Sequence, residues 1–180
     1  MAALPMTVGI ESMTMRIVSA TAITQSPFTF DQQVFAHQGV RWEAEVTLPP
    51  MTRAEAKEYE GFFAGLRGMK ETFTMYNPLV SIAATGTITG NAGDTRVDEN
   101  FSGDYAVGDY FSYNDKLYII TNRPSVTQID IMPPLREDAS TDTVDFTLPN
   151  GTWRLASNDI GWSIDRASIY GFSFACIEAI

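Results

Sequence analysis

The sequence predicts a mainly β protein with one packed α-helix: a β-sandwich or split-barrel domain carrying a small inserted β unit. Three observations carry this. GVRWEAEVTL alternates strictly, with Val40, Trp42, Ala44, Val46 and Leu48 on one face and Arg41, Glu43, Glu45 and Thr47 on the other. That period of two belongs to a half-buried strand, whose successive side chains point to opposite faces. A single segment, MTRAEAKEYEGFFAGLRG, has the three- and four-residue apolar spacing of an amphipathic helix. Residues 81–138 instead break into short strand candidates separated by glycine and aspartate turns.

In chain order, residues 1–14 are small, polar and methionine-rich, and read as an arm that orders against a neighbouring molecule. The main β domain spans 15–80 and 139–180, and MRIVSATAIT opens it with β-branched residues in partial alternation. SPFTFDQQVFAH follows, and then the alternating strand, which ends at Pro49 and Pro50 because proline offers no amide to a ladder. The helix occupies 52–67. Thr52 and Glu55 form a capping box at its start, and Ala56, Tyr59, Phe62, Phe63 and Leu66 make its apolar stripe. Gly68 suits the positive φ of a C-terminal cap. Gly61 and Gly65 weaken the helix and suit a close backbone approach to a sheet. Alternation returns through Phe73, Met75 and Asn77 and stops at Pro78.

The inserted unit, 81–138, draws its expected core from Val107, Phe111, Leu117, Tyr118, Ile120, Ile129 and Ile131. Asn114-Asp115 lies between FSY and KLYIIT and predicts a hairpin turn. REDASTD reads as an acidic linker back to the main domain, and the aromatic, β-branched run ending in FSFACIEAI reads as a closing sheet strand.

Composition narrows the function. A chain of 180 residues with 44% hydrophobic content can bury a substantial core. The net charge of −10 disfavours nonspecific nucleic-acid binding, for lack of a basic stripe to neutralise phosphates. One cysteine, Cys176, excludes an intramolecular disulfide or thiolate cage, and one histidine, His37, excludes a multi-histidine zinc site within the chain. No window holds the roughly 20 apolar residues that cross a bilayer, so no membrane insertion is expected. MAALPMTVGIESMTMR lacks the basic start and apolar core of a signal peptide, which predicts assembly in the cytoplasm.

Glu55 and Glu58 have helical spacing for paired ligation, but Glu55 has a capping role and no second helix supplies partners. Asp94, Asp98, Glu99, Asp104 and Asp109 offer calcium-like oxygens at the wrong spacing for a helix-loop-helix site. His37 with Asp31 lacks a nucleophile elbow. TGTITGNAG lacks the lysine and hydroxyl ending of a phosphate loop. Trp42, Trp153 and Trp162 could stack on sugars but suit strand cores or interfaces, and Cys176 suits a small core position. The expectation is a non-enzyme with no catalytic, cofactor-binding or metal residues and no cofactor.

The run RWEAEVTLPPMTRAEAKEYEGFFAGLRGMKETFTMYNP resembles the N-terminal region of minor tail proteins of long-tailed (siphovirus-like) bacteriophages, most closely the distal-tail group. The Gly108-Asp109-Tyr110 turn, Met132-Pro133-Pro134-Leu135 and the terminal FSFACIEAI add to the resemblance, which covers most of the chain after residue 15. It implies a tail-tube-like domain and a virion protein of the tail tip, assembled in the host bacterial cytoplasm. It further implies a homo-oligomer, a hexameric ring, which links the tail tube to the tip or hub complex and leaves a DNA passage. Tail tube protein, hub or tip proteins and tape-measure protein are the implied partners, with no sequence-specific nucleic-acid binding. The arm and the segment 86–104 are expected to make subunit contacts. A soluble carbohydrate- or protein-binding β module is the alternative.

Overall fold

The computed structural model describes residues 2–77, 80–165 and 168–180; Pro78, the expected end of one strand, lies outside them. The protein is mainly β with one helix, built as a mixed sheet and a closed six-stranded barrel.

The sheet runs in the order β1 (Ala2–Ala3), β4 (Phe73–Tyr76), β11 (Asn150–Leu155), β13 (Tyr170–Glu178), β3 (Gln32–Thr47) and β2 (Ser12–Gln25), with β12 (Trp162–Ile164) also paired to β13. Only β1 and β4 are parallel; the other neighbours are antiparallel. The alternation of GVRWEAEVTL is realised as read: Val40, Trp42, Ala44, Val46 and Leu48 are all buried. The terminal run becomes β13, an interior strand of the sheet, for which its alternating buried residues are suited.

Helix α1 (Arg53–Leu66) lies against the apolar face. Tyr59 and Phe63 meet Phe172, at 6.0 and 5.9 Å between ring centroids, and Phe63 also meets Phe174 at 5.0 Å. The Glu55 carboxylate accepts from the Thr52 N–H at 2.8 Å, the return bond of a capping box, and also from the Thr52 hydroxyl at 2.8 Å. Two expectations for the helix are corrected, and the expected positive φ at Gly68 is found with Arg67 preceding it. Phe62 is only half-buried, because the stripe is centred on Phe63. Gly61 and Gly65 are exposed with open space where a Cβ would sit, so no backbone approaches them. The left-handed cap starts at Arg67 (φ 52°), and Gly68 (φ 68°) continues it against Asn158.

The arm is not loose. Ala2–Ala3 pairs with β4, Leu4 donates its N–H to Thr74 O, and Glu11 donates to Thr47 O. The arm therefore begins at one edge of the sheet and ends at the other. It is not extended throughout: Gly9, at φ 74°, donates its N–H to Met6 O in a turn. Leu4 is buried, Met6, Val8 and Ile10 pack on the core, and Thr7 donates to Glu58 at 2.6 Å. The expected neighbour is the protein's own sheet and helix.

The barrel closes in the order β10 (Ala139–Asp145), β5 (Thr85–Gly90), β6 (Arg96–Ser102), β9 (Gln128–Met132), β8 (Lys116–Asn122) and β7 (Tyr110–Tyr113). It is inserted between β4 and β11, which pair directly with each other at Tyr76 and Asn150. The insert runs past the expected boundary at 138. ASTDTVD, read as part of a linker and the returning main domain, is β10, the strand that completes the ring of hydrogen bonds with β5 and β7. Its polar pattern concealed it, since only Ala139 and Val144 need to face inward and the register shifts between Ser140 and Asp142. Segment 86–104, expected as a contact loop, is mostly β5 and β6.

Within the barrel, Phe111, Tyr118, Ile120, Ile129 and Ile131 form the core as read, together with Phe146 and Ile88. Val107 does not: it is exposed in a turn closed by the Ala106 N–H and the Asp109 carboxylate. Leu117 is buried in the other core, against the sheet. Asn114 and Asp115 turn with φ of 48° and 57° between paired Tyr113 and Lys116, the left-handed pair that two-residue hairpins favour.

Candidate functional site

Strands β2 and β3 are longer than the sheet that holds them. Strand β13 covers β3 only from Glu43 to Thr47, whereas β2 and β3 stay paired out to Gln25 and Gln32. Beyond that coverage the two strands form a projecting ribbon, bent where the register shifts between Ser19 and Thr21 and turned at Ser26–Asp31. The turn is held by Ser26 N–H to Asp31 O and Phe30 N–H to Ser26 O, with Phe30 at φ 60°. Both long edges of the ribbon lack a strand partner among the described residues.

The ribbon's side chains are unlike those of a solvated hairpin. Residues 17–40 contain a single Asp, Glu, Lys or Arg, Asp31, although these types make up 19% of the chain. Seven of the fourteen large hydrophobic residues exposed among those described lie here: Ile17, Val18, Ile23, Phe28, Phe30, Val34 and Phe35. Cross-strand pairing sets Ile23 beside Val34 on one face and Ala22 beside Phe35 on the other, so each face carries an apolar pair among uncharged polar neighbours. Phe28 is 91% exposed and Phe30 71%. Natural edges are normally guarded by lysine, proline or a covering element; this ribbon has two open edges and no lysine.

The root of the ribbon is fastened by a buried ionic cluster. Arg136, from the segment between β9 and β10, grips the Glu178 carboxylate at 3.1 and 2.8 Å and donates to Val40 O at 2.6 Å. Glu178 also accepts the Trp42 N–H at 3.0 Å, and the Trp42 indole N–H reaches Leu117 O at 2.8 Å. Arg136 and Glu178 side chains are 12% and 4% exposed. Barrel, sheet and ribbon therefore meet at one group of hydrogen bonds.

The sequence-level candidates fall elsewhere and apart. Glu55 caps the helix, and its Thr52 partners hold its carboxyl below the ordinary glutamate range; Glu58 binds Thr7. The five carboxylates weighed for calcium, two of them on β6, are dispersed. Asp94 accepts from Asn91, Asp98 from Gln128, and Asp109 from Ala106. Asp104 is exposed. Glu99 is buried and accepts from Phe101 N–H and the Tyr105 hydroxyl at 2.6 Å each. No group of three potential metal ligands occurs among the described residues. TGTITG is barrel strand β5. Trp42 and Trp153 are buried, the latter with its indole N–H on Met75 O, while Trp162 is partly exposed and stacked on Phe172. Cys176 is buried, and burial pushes its thiol up to about 12. His37 lies along the ribbon root and Asp31 at its tip, roughly 20 Å apart at the rise of a strand.

The ribbon is what residue-by-residue motif reading missed. Its signal is negative: a long β-prone run without charges in an acidic chain. Among the described residues, no helix is long and apolar enough to cross a membrane. Comparison with protein-family models finds no match, and comparison with curated proteins finds none either.

Proposed function

We propose that this chain is a structural minor tail protein of a long-tailed bacteriophage, of the distal-tail group. It forms a ring at the end of the tail that joins the tail tube to the tip or hub complex and leaves a passage for DNA. The observation that carries the reading is the projecting ribbon, nearly uncharged, with exposed apolar side chains on both faces and open at both edges among the described residues. Burying such a surface requires another polypeptide, and copies of the same chain arranged head to tail about one axis cover every ribbon while leaving none unpaired. The resemblance of the Trp42-to-Pro78 region to distal-tail proteins supports the same reading. The acidic balance of the chain suits a passage that does not hold DNA phosphates, since like charges repel.

In this proposal the mechanism is assembly. The rigid sheet, helix and barrel hold the ribbon at a set angle, and contact between subunits orders the ring on which tube and hub proteins seat. Hexameric stoichiometry, tail-tip location and the tube, hub and tape-measure partners belong to the proposal. Electron microscopy of the purified full chain, with mass measurement at increasing concentration, tests it. Closed rings of tube-like diameter are expected. Monomers at every concentration, including with tube protein added, would refute it.

A further inference from the structure

The ribbon leaves a hollow at its own root. A cleft of about 460 Å³ lies between the ribbon base and the barrel, lined by His37, Val40, Met132, Pro134, Leu135 and Ile180. Apart from His37 these are apolar side chains, and the polar Thr95 and Arg136 also line it. The tip of the ribbon presents the reverse shape, two projecting phenyl rings, Phe28 and Phe30, followed at once by Asp31. Among the described residues neither the Asp31 nor the His37 side chain has an ion-pair or hydrogen-bond partner. Within one molecule they are held apart by the ribbon's length.

We propose that the cleft receives the Phe28-Thr29-Phe30-Asp31 tip of a second copy of this chain. The phenyl rings enter the apolar hollow, and the Asp31 carboxylate accepts a hydrogen bond from the His37 imidazole at its rim. Polar complementarity favours this occupant: the tip carries one carboxylate acceptor and the rim one unpartnered imidazole, while the Arg136 guanidinium in the lining is already taken up by Glu178. The contact is heterologous, tip to root, so each copy offers one tip and one cleft and the chain of contacts continues until it closes. The inference rests on the ring reading and specifies its subunit contact, with aromatic anchors buried in a preformed pocket as at other binding hot spots.

Cysteine pairing distinguishes this contact from ring formation itself. Phe28→Cys and Ala92→Cys place thiols at the exposed tip and the exposed cleft rim, positions whose substitution leaves the core untouched. A disulfide needs Cα atoms within about 7 Å, far less than the tip-to-root distance in one molecule, so any bond between these sites is intermolecular. Cys176 is buried and does not compete. Mixing the two single variants should yield a crosslinked heterodimer, and the double variant a ladder that ends at the ring. Asp31→Lys should lower the crosslinked fraction several-fold, and adding His37→Asp should restore it. Rings seen by microscopy without crosslinking would overturn the tip-to-cleft contact and leave the ring reading standing. Absence of both rings and crosslinks would overturn the two together.

Discussion

Arg136 shows how much a single side chain can organise. Its guanidinium satisfies a nearly buried carboxylate and a strand carbonyl at once, and that carboxylate in turn holds the Trp42 amide. Such a pair contributes little net stability against an apolar replacement, yet removing one partner strands a buried charge. Arg136→Met should therefore destabilise the protein by about 3–5 kcal/mol, read by denaturant unfolding, while Arg136→Met with Glu178→Met should recover much of the loss. A double variant no more stable than the single would show that packing, not the stranded carboxylate, sets the cost. Phe63 and Phe62 make a second residue-scale contrast. Phe63 is fully buried among Phe172 and Phe174, so Phe63→Ala should cost about 3–5 kcal/mol. Phe62 keeps one side toward water, and Phe62→Ala should cost clearly less. Equal losses would place the centre of the stripe elsewhere.

Among the elements, α1 carries a pH signature at its first turn. Hydrogen bonds from the Thr52 backbone and hydroxyl hold the Glu55 carboxyl below its ordinary value of 4.5. A depressed folded-state value means the capping contribution is complete above that ordinary value and is lost as pH falls through the lower, folded one. Thr52→Ala removes the hydroxyl donor. An NMR titration should then show the Glu55 carboxyl moving upward toward its ordinary value; an unchanged midpoint would leave the backbone amide as the only relevant donor. The arm behaves differently from its composition. Leu4, Met6, Val8 and Ile10 pack on the core and Thr7 and Val8 bond to Glu58 and Tyr59 of the helix, so it acts as a strap rather than a free tether.

For the whole molecule, the ribbon is separable from what supports it. The sheet core, the helix and the barrel core are complete without residues 20–37, none of which belongs to either buried cluster. Replacing that stretch by a two-residue Asn-Gly turn, which favours hairpin closure, should leave the unfolding free energy close to that of the full chain. It should also abolish ring formation. A shortened protein that still closes into rings would move the subunit contact to the body of the molecule. The inserted barrel has a different relation to the sheet. It enters and leaves at adjacent strands, Asn77 donating to Pro149 O, and is pinned by Trp42, Arg136 and Lys116. Its position therefore sets the cleft at the ribbon root.

Much of this was legible in local pattern. The half-buried strand at 40–48, the helix with its capping box, the Asn114-Asp115 turn and the β character of the C-terminus follow from period, cap and turn chemistry, which act between residues close in sequence. The barrel strand at 139–145 was not legible, because a strand with only Ala139 and Val144 inward has the composition of a linker until its partners are known. Nor was the ribbon recognisable as a site: Ile23, Val34 and Phe35 have the same β-branched and aromatic character as core strand residues. By itself the sequence determined the half-buried strand, the capped helix and the hairpin turn, and that the chain is β-rich. Only the tertiary structure decided which of those apolar strands are covered, because coverage depends on contacts between segments far apart in the chain, and β13 reaches no further along β3 than Glu43.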